Sequence, residues 1–376
     1  MSSHQSLSAE MLINRIAYQP DLILNTMITI PEPTKRAAIN PQRKSSTLEV
    51  LDNLPLELLQ MVLTTLDFQI FHGSRKSVRE PLLLQSLPSY RDLIEYAPRT
   101  IAALAKTRLD CYHTIAVLHA ALLSERCVSC GNYGAFLFLP SCERCCYQCL
   151  RRNQSFWVIP ASLATKCFHL NASQLREIPH LLSVPGFYPI RGFTLRKRRI
   201  NLVGVKSAKT VALKIHGSIQ NMAQDPLISE RDDTLSDEEF SYFRSLMPDK
   251  KVDRINMFRW LQKAPLHPFD RDPVMLPMQK NMPSNNYKGM GSIFFPSLLS
   301  NARLETGLWC RGCVYTCRLY NSERRAEVEI ALSDSIPQDR DPLKILLGLQ
   351  HRARSRTQFL EHVEHCYGAQ RMLAES

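Results

Sequence analysis

Cysteine placement constrains this chain more than any other feature. Twelve cysteines occur, seven of them between Cys111 and Cys149 and three between Cys310 and Cys317, with only Cys167 and Cys366 apart. Grouping of this kind points to shared metal ligands or to disulfides. The compartment decides between them. Met1-Ser2-Ser3-His4-Gln5 lacks the basic and then apolar pattern of a secretory signal. No run approaches the ~18–20 consecutive apolar residues that cross a bilayer. The expectation is an intracellular chain, cytoplasmic or nuclear, with no membrane partner. Thiols stay reduced there, and clustered cysteines read as metal ligands.

The spacings suit zinc. Cys127-Val-Ser-Cys130 is followed by Gly131, an apolar stretch Ala135-Phe-Leu-Phe-Leu139, and then Cys142, Cys145, Cys146 and Cys149. Each C-x-x-C pair sits on a tight knuckle that points both sulfurs at one place, and a tetrahedral ion takes two pairs. Cys127 and Cys130 with Cys146 and Cys149 leave 15 residues between the pairs. Cys142 with Cys145 is the competing second pair, 11 residues on. Surplus cysteines then pack as small hydrophobes.

A second set is Cys310-Arg-Gly-Cys313, followed after 48 residues by His362-Val-Glu-His-Cys366. Residues four apart share one helix face, so His362 and Cys366 can close a tetrahedron with the pair. Cys317 and His365 are the alternates. The expectation is two structural zinc ions. No H-E-x-x-H motif occurs, and no His-x-Glu precedes a Pro-Cys-x-x-Cys. Nothing marks an open coordination position, and the chain reads as a non-enzyme.

The chain is 44% hydrophobic with 13 Gly in 376 residues, enough to bury a core. Residues 1–46, with Pro31, Pro33 and Pro41, read as a flexible leader in which Ser8 to Ile16 can form a short helix. Residues 47–123 read as helical. Leu54, Leu58, Leu59, Val62, Leu63 and Leu66 recur at helical spacing behind Pro55, and further helices are expected at Tyr90–Lys106 and Asp110–Leu123. Residues 124–218 hold the first cysteine set and a β region, with two or three strands from Phe187 to Ile215. Residues 219–286 are polar and Pro-containing and read as a flexible insertion. Residues 287–376 carry the second set and a final helix near Thr357 to Cys366. The fold class is α+β, with a zinc-stabilised body around a small antiparallel sheet.

The segment Leu51-Asp-Asn-Leu-Pro-Leu-Glu-Leu-Leu-Gln-Met-Val-Leu-Thr-Thr-Leu-Asp67 resembles the opening of an F-box, in which a Leu-Pro pair starts the first helix. Leu54, Pro55, Glu57, Leu58, Val62, Leu63 and Leu66 stand where that motif has them. Other blocks are similar to F-box proteins of filamentous fungi. They are Leu87-Pro-Ser-Tyr-Arg-Asp-Leu93, Gly134-Ala-Phe-Leu-Phe-Leu-Pro140 with Cys145-Cys146-Tyr-Gln-Cys149, Lys214-Ile-His-Gly217, Gly307-Leu-Trp-Cys-Arg-Gly-Cys313 and Phe359-Leu-Glu-His-Val-Glu-His-Cys366. The resemblance implies an F-box-like N-terminal region that docks on a Skp-type adaptor through Leu54, Pro55, Leu58, Val62 and Leu63. It implies a place in a cullin (SCF-type) ubiquitin ligase, recruiting a protein substrate that the sequence does not name. One departure stands out. Gly73, Ser74 and Pro81 interrupt the stretch Phe71–Gln85, where later F-box helices belong, and a proline inside a helix costs about 3 kcal/mol.

The net charge of +12 supports one alternative, a zinc-stabilised nucleic-acid binder. Its basic runs would be Arg196-Lys197-Arg198-Arg199 and Arg352-Arg354-Arg356. Neither is interleaved with the aromatic residues that single strands stack on. A structural zinc scaffold with a degenerate F-box is the other alternative.

Overall fold

The computed structural model describes residues 8–31, 55–68, 87–188, 194–218, 221, 261–262, 264–266, 287–333, 335–337 and 340–375. Leu54, the interrupted stretch Phe71–Gln85 and nearly all of the expected insertion lie outside the described residues. Helices and small antiparallel sheets alternate along the rest, an α+β arrangement.

The helix started by the Leu-Pro pair runs Leu56–Thr65. Leu59 and Leu63 are 6% and 9% exposed and anchor it in the core, whereas Leu58, Met61 and Val62 are 48%, 66% and 40% exposed. The stretch expected as one helix from Tyr90 is two, Pro88–Tyr96 and Pro98–Thr107. Each begins with a proline, whose missing N–H costs nothing in a first turn but cannot continue the helix before it. The next helix is Ile115–Leu123, later than the expected Asp110, because Thr114 caps it by accepting from the Val117 N–H (3.3 Å).

Among the described residues there are twelve strands: β1 (Ala17–Tyr18), β2 (Phe136–Phe138), β3 (Glu143–Cys145), β4 (Val158–Pro160), β5 (His180–Leu182), β6 (Gly186–Tyr188), β7 (Thr194–Arg196), β8 (Asn201–Gly204), β9 (Ser292–Phe294), β10 (Ser297–Leu298), β11 (Leu304–Glu305) and β12 (Trp309–Cys310). Two sheets have three strands, in the orders β3-β2-β9 and β4-β8-β5, and three pairs remain, β1-β12, β6-β7 and β10-β11. The apolar run at residues 135–139 becomes β2, buried along its whole length. Phe136 lies opposite Cys145 on β3 and Phe294 on β9.

Two expectations need correction. Strands do not continue to Ile215, because Val205–His216 is a helix that buries Val205, Ala208 and Ala212 on one face. Gly217, at φ +74°, ends it. The leader also gives way, since residues 8–31 are built into the body. Ser8 caps the helix Ala9–Ile16, and β1 pairs with β12, Ala17 opposite Cys310. Leu12, Ile13 and Ile16 supply the apolar face that makes this packing favourable.

The segments 124–218 and 287–376 are not separate packing units either. Sheet β3-β2-β9 takes strands from both, and one continuous core runs from Ile23 to Ala353. The C-terminal region adds the helices Arg311–Tyr320, Arg325–Ala331, Pro342–Gln350, Arg356–His365 and Tyr367–Ala374. The first and last of these cross on glycines. A Cβ at Gly312 would stand 2.3 Å from the Ala369 nitrogen, and one at Gly368 would stand 2.1 Å from the Gly312 oxygen.

Candidate metal centres

All twelve cysteines are free thiols. Eight side chains form two compact groups: Cys127, Cys130, Cys146 and Cys149 in one, and Cys310, Cys313, His362 and Cys366 in the other. Within each group the donor atoms all lie within 4.8 Å of one another.

The first group hangs on two knuckles held by backbone. The Gly131 N–H donates to Cys127 O (2.9 Å) and the Cys127 N–H to Asn132 O (2.7 Å). Gly131 sits at φ +71°, a left-handed conformation that glycine takes without strain. The second knuckle opens a helix. Cys146 is the N-cap of Tyr147–Arg152, and its sulfur accepts from the Cys149 N–H (3.4 Å). The Val128 N–H reaches Arg144 O (3.0 Å) and docks the first knuckle on β3.

Arg144 itself is buried without a carboxylate. It donates to the carbonyls of Ala121 (3.0 Å), Gly134 (2.6 Å), Phe295 (3.2 Å) and Pro296. Burial pulls its pKa down to about 10.

The sulfurs of Cys130 and Cys146 are 3.7 Å apart. That is far beyond a disulfide bond of about 2.05 Å. It matches the edge of a tetrahedron with metal–sulfur bonds of ~2.3 Å, which is about 3.8 Å. Hydrogen bonds from Cys130, Cys146 and Cys149 hold the Cys127 thiol well below its ordinary range. The same contacts, with Cys127 first, push Cys146 well above it. The Cys130 thiol is lowered as well and the Cys149 thiol raised. Four thiols at one point thus favour thiolates on Cys127 and Cys130 by keeping protons on the other two, and a bound cation removes that conflict.

The competing pair is placed elsewhere. Cys142 and Cys145 are buried apart from the group, and burial raises both thiols. Cys142 occupies a left-handed turn (φ +53°), and the Cys145 thiol faces Phe136 O (3.6 Å). They pack as hydrophobes.

In the second group Cys310 closes β12 and serves as N-cap of Arg311–Tyr320, whose first turn carries Cys313. His362 and Cys366 come from the end of Arg356–His365, itself started by a capping box between Ser355 and Gln358. Cys310 lies 3.8 Å from Cys366 sulfur to sulfur, Cys313 lies 4.0 Å from Cys366, and Cys313 Sγ lies 3.1 Å from His362 Nε2. Hydrogen bonds from Cys310 and Cys313 lower the Cys366 thiol, with His362 adding to them. The alternates do not join. Cys317 packs with Leu319, Tyr320, Val328 and Leu346, and His365 is exposed. Trp309, next to Cys310 on β12, is buried in the main core against Phe294, its Nε1 donating to His351 O (3.3 Å).

Three supporting residues carry no spacing signal. The Asn132 amide donates to Cys130 Sγ (3.3 Å), and Arg352 Nη2 donates to Asn132 Oδ1 (2.7 Å). Arg354, buried, points Nη2 at Cys313 Sγ (4.0 Å) and gives Nη1 to Arg352 O (3.0 Å). Arg356 pairs with Glu10 (2.6 Å). The basic run Arg352-Arg354-Arg356 therefore serves the two centres and the N-terminal helix. In both groups four protein donors surround one point, so each can hold one metal ion.

No family model, no curated protein and no solved structure matches this chain. No helix among the described residues is long and apolar enough to cross a membrane.

Proposed function

We propose that this chain is a substrate-recruiting adaptor of the F-box type, with a body stabilised by two zinc ions. The observation that carries the reading is the helix Leu56–Thr65. Leu58, Met61 and Val62 form an exposed apolar stripe at positions i, i+3 and i+4, while Leu59 and Leu63 hold the helix to the core. An exposed stripe on an anchored helix is what docking on a Skp-type adaptor requires. Leu63, expected among the docking residues, faces inward, and Met61 takes its place beside Leu58 and Val62. Pro55, also exposed, precedes the helix.

Zinc is the metal that fits thiolate and imidazole donors filling a tetrahedron with no position left open. It is structural in this reading, and ubiquitin transfer belongs to the cullin ligase. The adaptor contributes proximity, which raises the effective concentration of its protein substrate. Reduced thiols suit a cytoplasmic or nuclear site of action. Of the two basic runs, Arg352, Arg354 and Arg356 are engaged within the chain, whereas Lys197, Arg198 and Arg199 are exposed, so the nucleic-acid reading rests on the latter run alone.

Co-purification with a Skp-type adaptor tests the proposal. The wild type should retain the adaptor and bring two zinc equivalents by elemental analysis. A Leu58→Asp/Met61→Asp double variant, altered only on the exposed stripe, should keep its zinc and lose the adaptor. A wild type that retains no adaptor refutes the ligase role.

A further inference from the structure

Nearly every arginine of the C-terminal region has a partner. Arg324 and Arg371 pair with Glu327, Arg325 with Glu329, Arg303 with Glu305 and Arg356 with Glu10. Arg352 and Arg354 are engaged at the metal centres. Arg311 and Arg318 are different. Both are exposed, and no hydrogen bond or ion pair engages either guanidinium among the described residues.

These two line the same cavity, a groove of about 560 Å³. That volume lies within the roughly 300–1,000 Å³ of ordinary ligand sites. Its floor is the outer face of the helix Arg311–Tyr320, where Val314 and Tyr315 lie between the arginines, and Tyr18 and Met372 form its walls. The inner face of the same helix carries Cys313, so the groove is built on an element that the second centre holds. Asp21 is the one carboxylate among the lining residues, and the Tyr315 hydroxyl is turned to Glu375 (3.2 Å). Positive charge is in excess, over a largely apolar surface.

The spacing sets the ligand. Arg311 and Arg318 stand two helical turns apart, about 10 Å along the axis at ~1.5 Å per residue. A segment in the polyproline II conformation, with three residues per turn and ~3.1 Å per residue, sets side chains three positions apart on one face about 9 Å from each other. Each guanidinium presents a planar fork that matches a carboxylate or a phosphate.

We propose that this groove binds an extended acidic segment of a partner protein, with two anionic side chains on Arg311 and Arg318 and an apolar residue between them on Val314 and Met372. The inference rests on the proposed function only in making that partner the recruited substrate; binding itself needs no adaptor.

Fluorescence anisotropy with the full zinc-loaded chain tests it, with three labelled peptides sharing a Glu-Leu-Val-Glu core. One carries the glutamates, one carries phosphoserine in their place, and one carries lysine. A single-stranded RNA oligonucleotide is the fourth probe. The expected result is saturable binding of the glutamate or the phosphoserine peptide, with no binding of the lysine peptide. The tighter of the first two identifies the anion. Arg311→Gln and Arg318→Gln should each weaken binding about tenfold, the loss of one charge-assisted contact. Val314→Ala should weaken it without changing its salt dependence. Circular dichroism and zinc content check that each variant is folded. Three results overturn the proposal: no saturation of either acidic peptide by about 1 mM, a limit on useful affinity; equal binding by the folded arginine variants; or saturable binding of the RNA alone. A chain that binds peptide without retaining a Skp-type adaptor keeps the groove and loses the ligase role. The reverse pattern keeps the adaptor reading and removes the groove.

Discussion

Arg352 and Asn132, 220 residues apart in the sequence, are joined by a 2.7 Å hydrogen bond, and the amide of Asn132 rests 3.3 Å from the sulfur of Cys130. Two positions further on, Arg354 points at Cys313 of the other centre. One short segment thus delivers positive charge towards both thiolate clusters. A site of four thiolates around a divalent ion carries surplus negative charge, and hydrogen bonds from outside the ligand set steady it.

Arg352→Ala should therefore weaken metal binding at the first centre by about 10–100-fold while leaving all eight ligands in place. Competition with a graded series of chelators reads this directly. A variant that releases zinc from the first centre no more readily than wild type would sink the role assigned to Arg352.

Removing a ligand is more severe. Cys149→Ser should cost more than about 4 kcal/mol, the range associated with loss of a structural metal, and give insoluble protein. Cys142→Ser, outside the group, should leave two zinc equivalents bound. Zinc content and soluble yield of the two variants separate ligand from packing cysteine.

That distinction was the part of the site least legible in the sequence. The two C-x-x-C knuckles and the i, i+4 pair His362 and Cys366 could be read from spacing, because ligand geometry is local there. Cys145 and Cys146 are neighbours, and spacing does not decide between them. The pairing of β2 with β3 decides it, turning Cys145 towards Phe136 O and leaving Cys146 to cap the next helix. The role of residues 8–31 was illegible for a similar reason. Their apolar face has meaning only once β12 and Phe359 are present to receive it. Local periodicity also misplaced Val205–His216, whose β-branched residues favour strands until burial on one helical face prevails.

Arg144 gives a third prediction. Its four carbonyl acceptors come from three separate segments, and without it these groups lose their donor. Arg144→Met should destabilise by roughly 3–5 kcal/mol. Denaturant unfolding measures the loss, and a change under about 1 kcal/mol would show that water replaces the guanidinium.

The glycine crossing gives a fourth. Gly312→Ala places a methyl group against the backbone at Ala369, which cannot yield as a flexible side chain would. The cost should be about 1–3 kcal/mol, felt first as zinc lost from the second centre. Ala374→Gly, at the exposed end of the same helix, is the control.

His113 gives a pH dependence. Its Nε2 lies 2.7 Å from Leu139 O, and burial lowers its pKa below the usual histidine value. The unfolded chain then binds a proton that the folded chain refuses. Stability is full above the unfolded value near 6.5 and declines as pH falls below it. His113→Gln should flatten that part of the stability–pH curve, and an unchanged slope would assign it to other groups.

The pairing of β1 with β12 has a consequence for how the molecule comes into being. Glu10 meets Arg356 across 346 residues of chain, and Ala17 finds its partner only when Cys310 has been made. A nascent chain leaving the ribosome holds Leu12, Ile13 and Ile16 without a surface to cover them until its last helices emerge. Such long-range closure is slow and leaves apolar surface open to chaperones in the meantime. A nonsense mutation before Trp309 would thus strand both ends of the protein at once, and quality control would meet it as a wholly unfinished molecule.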